Sequence, residues 1–191
     1  MRKLVFAGFL SLVLVAAAVT VAAAQKGNGN GGKHLSGELD GFQEVPSISS
    51  NAEGKIKVKL NGSSIRYKLE YSGFTASNKA KVAHIHFAQE GVNGGIAAFL
   101  CGNGSPPCPE TSGKVTGTIT AANVKAITAQ GLAVGDISAL IRAIKSGYTY
   151  ANVHSDTFGS GEIRGQIGDD DDDHHGDGGG KRNGGNDEDD D

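Results

Sequence analysis

The chain has no tryptophan, one methionine at its start, four prolines and two cysteines in 191 residues. Two cysteines allow one internal bridge, so a disulfide-dense scaffold is excluded and the fold must rest on a hydrophobic core. Their spacing is not Cys-x-x-Cys, which removes the thioredoxin-type redox motif. No Ser/His/Asp set and no nucleophile elbow stands out, so the chain does not read as an enzyme. No basic stripe with interleaved aromatics is present, which leaves no case for a nucleic-acid partner. Histidine is scarce too: His34, His84, His86 and His154, with His174 and His175 near the end.

The chain opens with an export signal. Arg2 and Lys3 form a basic start, Leu4 to Val21 an apolar run, and Ala22-Ala23-Ala24 a small-residue cleavage site. Residues 1–24 therefore read as a signal peptide. The mature protein is expected to be secreted or held in the cell envelope or periplasm, and to meet an extracellular or envelope partner there. No later run is apolar enough to leave a membrane span after cleavage. Residues 25–33 form a Gly/Asn-rich linker. Residues 34–168 are long enough for a single core. Residues 169–191 carry 11 acids against 2 bases and no apolar side chain, and read as a disordered acidic tail.

The central region reads as mainly β. Ile56, Val58 and Leu60 alternate with Lys55, Lys57 and Lys59, then Asn61-Gly62 gives a strong hairpin signal, then Ile65, Tyr67, Leu69 and Tyr71 alternate with polar residues. A two-residue loop at Asn61-Gly62 would set Val58 against Ile65 and Ile56 against Tyr67. The segment from His34 is expected to start as an edge strand and run into an extended, Pro-containing arm. Further strands are expected at Lys81–Ala88, Ile96–Leu100, Gly113–Thr120, Tyr148–His154 and Glu162–Ile167. A helix fits Ile137, Leu140, Ile141 and Ile144, with Asp136 as N-cap and Gly147 as stop, and a shorter one fits after Thr120. The expected architecture is an antiparallel, Greek-key-like β-sandwich or barrel with one or two short crossover helices.

Two stretches carry the chemistry. In Lys81–Ala88, Ala83, Ile85 and Phe87 share one strand face while His84 and His86 share the other. In Tyr148–His154, Thr149, Ala151 and Val153 oppose Tyr148, Tyr150, Asn152 and His154. If the two strands are neighbours, His84, His86 and His154 converge outside the main core under the loop Ser155–Gly161. Three imidazoles suit copper or zinc, and Asn152, Glu162 or Arg164 could orient them from behind. The alternative is a non-enzymatic binding or structural module whose histidines join Glu162 and Arg164 in an internal polar network. A separation of His154 from the pair beyond about 8 Å would exclude a shared ion. In an exported chain, Cys101 and Cys108 are expected to form a disulfide.

The segments LSGELDGFQEVPSISSNAEGK, AHIHFAQEGVNGG and YANVHSDTFGSGEIRGQI resemble the successive signatures of the chordin-type (CHRD) domain, from about Leu35 to Ile167. The resemblance implies an extracellular β-sandwich or barrel and supplies no activity. Ser47 stands where the family usually has a second proline. The cysteine-rich modules that bind growth factors in animal chordin have no counterpart in this chain. A remoter similarity is to copper/zinc superoxide dismutase, which also carries a His-x-His on an outward strand face of a Greek-key barrel; by that resemblance His84 and His86 match the pair and His154 could serve as a third ligand. The dismutase zinc cluster has no equivalent here, so dismutase chemistry is not implied.

Overall fold

In-register alternation organises the sheet. The computed structural model describes residues 32–169. The expected signal peptide, almost all of the linker and the acidic stretch after Asp169 lie outside the described residues. Strands β2 (Glu53–Asn61) and β3 (Ser64–Ser72) form the hairpin. Leu60 faces Ile65, Val58 faces Tyr67 and Ile56 faces Leu69. This corrects the expected register by two residues: Asn61 stays in the ladder opposite Ser64, and Gly62-Ser63 make the turn. The observed register sets Leu60 against Ile65 instead of Ser63. A shift of two keeps the parity, so the same side chains are buried either way.

Strand β1 (His34–Asp40) is not at an edge, which corrects a second expectation. One side pairs with β2 and the other with β8 (Ile163–Gln166) and the two-residue β9 (Gly168–Asp169). The closing end of the chain returns to the first strand, a long-range pairing with no local signature. The remaining strands are β4 (Ala80–Phe87), β5 (Gly95–Cys101), β6 (Gly113–Ile119) and β7 (Thr149–Ser155). All pairings are antiparallel, in the order β5-β4-β7-β8-β1-β2-β3-β6. The two ends, β5 and β6, approach each other without a ladder, giving a nearly closed barrel. Tyr67 on β3 donates to the Leu100 carbonyl on β5 at 2.7 Å and helps to tie the two ends.

The barrel is filled by the apolar parity of its strands: Leu35, Ile56, Val58, Ile65, Leu69, Ala83, Ile85, Leu100, Ile119, Val153 and Ile163 are buried together. Helix α1 (Ile137–Lys145) lies in the β6–β7 crossover. Asp136 accepts from the Ala139 amide at 2.8 Å, capping the first turn. Ile137, Leu140, Ile141 and Ile144 are the buried stripe, and Gly147 takes φ 73°, where a side chain would be strained. The shorter helix after Thr120 is a single 3₁₀ turn, Ala121–Asn123. Cys101 and Cys108 are bonded, with Cα atoms 5.0 Å apart, closing the loop after β5.

Candidate metal centre

Strands β4 and β7 are neighbours, and their register decides the site. Ala83 faces Val153 and Ile85 faces Ala151, all fully buried on the barrel side. The opposite parity therefore aligns His84 with Asn152, His86 with Tyr150 and Val82 with His154. His84 and His86 meet edge to face with ring centroids 4.5 Å apart. His154 lies diagonally, 4.4 Å from His84 and 6.5 Å from His86, well inside the 8 Å limit. One ring nitrogen from each histidine falls within 4.8 Å of the other two. Ligation at about 2.0–2.1 Å asks for separations of roughly 3–4 Å, within reach of small side-chain rotations.

The rings are oriented by backbone. His86 Nδ1 lies 2.8 Å from the Gly94 carbonyl, and His154 Nδ1 lies 3.0 Å from the Gly159 carbonyl. A carbonyl only accepts, so each Nδ1 carries the proton and each Nε2 keeps its lone pair. Among the described residues, His154 Nε2 is buried with no hydrogen-bond partner, and so is His84 Nδ1. Burial and the two neighbouring imidazoles push His84 down to about 2, and burial above all pushes His86 down to about 4. Burial lowers His154 as well. All three rings are neutral at neutral pH, the state a metal ligand needs. Phe99 on β5 closes over His84 edge-on at 5.5 Å, and Tyr150 stacks flat on His86 at 4.6 Å. Arg164 continues the column, its guanidinium 3.5 Å from the Tyr150 centroid.

The CHRD domain model matches residues 35–167. The chain belongs to the CHRD domain family. A search of the curated proteins found no match, and neither did a search of the solved structures. CHRD domains are extracellular modules, and the Cys101–Cys108 bond fits an oxidising compartment. Among the described residues no helix is long and apolar enough to cross a membrane.

Within this CHRD domain the three supporting residues expected from sequence have separate places. Asn152 is cross-strand from His84, but its Nδ2 donates to Glu44 Oε1 at 2.6 Å. Glu162 accepts from Ser50 at 2.6 Å and from Asn78 at 2.8 Å, tying the arm after β1 and the β3–β4 loop to the start of β8. Arg164 donates to the Val92 carbonyl at 2.7 Å and to Asn93 Oδ1 at 3.1 Å. The groups that hold the rings are instead the carbonyls of Gly94 and Gly159. Sequence reasoning also passed over Glu44, a buried carboxyl raised by that burial. The Glu-Val-Pro signature carries this residue, but nothing local in it announces that Glu44 turns inward to Asn152. Gly161, at φ 128°, packs so close that a Cβ would stand 2.6 Å from both Asn152 Oδ1 and Glu44 Oε1.

Proposed function

We propose that this CHRD module is exported and holds a transition metal, copper or zinc, on His84, His86 and His154. The observation that carries the reading is the convergence of three neutral imidazoles with their ring nitrogens within 4.8 Å. Two of those rings bury a nitrogen with no hydrogen-bond partner among the described residues. An unengaged buried nitrogen costs free energy in a purely structural cluster, and an ion removes that cost. A His-carbonyl pairing on the far nitrogen is also the arrangement that fixes tautomer and ring plane in metal sites. Export rests on the basic start, apolar run and small-residue site of residues 1–24 and on the disulfide. The alternative, an internal polar network serving a binding or structural module, is supported by the bonds that join Glu44, Asn152, Arg164 and Glu162 to loops.

Calorimetry with copper and zinc salts on metal-stripped protein tests the reading. The chain should be produced without a His tag, both full length and ending at Asp169, because His174, His175 and the acidic tail offer ligands of their own. One equivalent should bind the shorter chain, and His84→Ala with His86→Ala should abolish it. No binding, or binding unchanged by the two substitutions, would leave the polar-network reading. Mass spectrometry of the secreted protein should find Gln25 as its first residue.

A further inference from the structure

Resting on the metal reading of the cluster, we propose that the site takes copper as the monovalent ion, Cu(I), and discriminates against divalent ions through the buried charge of Arg164. The ligand set is three neutral imidazoles. The groups bonded to the rings are the Gly94 and Gly159 carbonyls, not carboxylates. A bound ion therefore keeps its full charge in the cluster: one unit for Cu(I), two for Zn(II) or Cu(II).

That charge faces a second cation. Arg164 is 2% exposed, and its guanidinium lies under Tyr150, which stacks on His86. It donates to neutral acceptors, the Val92 carbonyl and Asn93 Oδ1. Glu44 is the carboxyl whose charge acts on Arg164, and it partly offsets the cation. Glu162 is turned to Ser50 and Asn78. Lys81 and Asp156, at the outer end of β4 and β7, pair with each other at 3.0 Å. The balance is a desolvated pocket facing a guanidinium across one aromatic ring. Each unit of positive charge on the ion meets the repulsion of that guanidinium, so a divalent ion meets it twice.

The two stacked layers span roughly 8 Å. Across that distance one unit charge changes affinity by roughly thirty-fold at an effective dielectric near 20. With Glu44 offsetting part of it, about ten-fold is the expected effect on the Cu(I)-to-Zn(II) affinity ratio. Arg164 is here a positioning and selectivity residue, since it reaches the ion only through Tyr150 and His86.

The test uses the full chain carrying His174→Ala and His175→Ala. Competition against a chromophoric Cu(I) chelator, without oxygen, and against a chromophoric zinc chelator gives the two affinities. Cu(I) should bind more tightly than Zn(II). Arg164→Gln should move the ratio about ten-fold towards Zn(II), and Glu44→Gln, which keeps the Asn152 bond, should move it the other way. Tighter binding of Zn(II), or a ratio unmoved by Glu44→Gln and by a folded Arg164→Gln, overturns the proposal. If Arg164→Gln does not fold, the unsubstituted ratio and Glu44→Gln decide. Failure to bind either ion overturns the metal reading itself, an outcome distinct from the wrong ion order.

Discussion

Acid should unfold this domain through its histidines, and the size of the effect follows from the site. His84 and His86 hold folded pKa values of about 2 and about 4, against 6.5 in the unfolded chain. Below pH 6.5 the unfolded chain takes up protons that the folded one refuses. The stability these groups contribute is therefore present above the unfolded value and is lost as pH falls towards the folded one. Each histidine removes about 1.4 kcal/mol per pH unit over that window. Between pH 6.5 and about 4.5 the two together remove roughly 4 kcal/mol, a large share of the 5–15 kcal/mol typical of a domain. His154 is lowered too and adds to the loss. Glu44 opposes it, because burial raises its carboxyl and so favours the acid form in the fold.

The assay is urea unfolding of chelator-treated protein at about pH 7 and about pH 4.5, on the unsubstituted chain and on His84→Gln with His86→Gln. Chelation matters because a bound ion would add its own pH dependence. The substituted chain keeps Glu44 and the exposed carboxylates, so the difference between the two pH slopes isolates the histidines. It should come to about 4 kcal/mol over the window. Equal slopes would refute the placement of these rings in a desolvated cluster.

Two further outcomes bear on the scaffold. Replacing Cys101 and Cys108 by serine should cost about 2–3 kcal/mol, the entropy of a loop this short, read as a lower urea midpoint; alkylation of the native, non-reduced protein should label neither cysteine. Ile144→Ala empties a fully buried position on α1 and should cost about 2–5 kcal/mol, whereas a change under 1 kcal/mol would mean the helix does not hold the sheet.

Much of the scaffold was legible because its signals are local. Alternation in β2, β3 and β4 marks which side chains turn inward, and the Ile137-to-Ile144 stripe with its Asp136 cap marks α1. The same locality explains the misses. Asn61-Gly62 announces a hairpin but cannot say which two residues make the turn, since registers two apart bury the same faces. Nothing near His34 announces that β8 and β9 will return to pair with β1. The His84/His86/His154 convergence was legible from parity once β4 and β7 were assumed adjacent. What orients the rings was not, because Gly94 and Gly159 act through carbonyls and a carbonyl has no sequence identity.

The way β4 is used explains how one strand can carry so exacting a cluster. Ala83 and Ile85 are fully buried in the barrel, and His84 and His86 alternate with them on the opposite face. The ladder that locks the apolar residues against Ala151 and Val153 therefore also fixes the histidines against Asn152 and Tyr150. The barrel face sets position along and across the strands, while the covering loops, through Gly94 and Gly159, set ring rotation. The two controls are physically separate. Truncating Ile85 removes packing and should lower stability with the ring bonds intact, whereas disturbing Gly94 changes the ring plane of His86 with the core intact. Gly94 has little latitude, since a Cβ there would overlap the Phe87 carbonyl. The cluster is thus placed by the core on the other face of its strands and aimed by the backbone carbonyls of the covering loops.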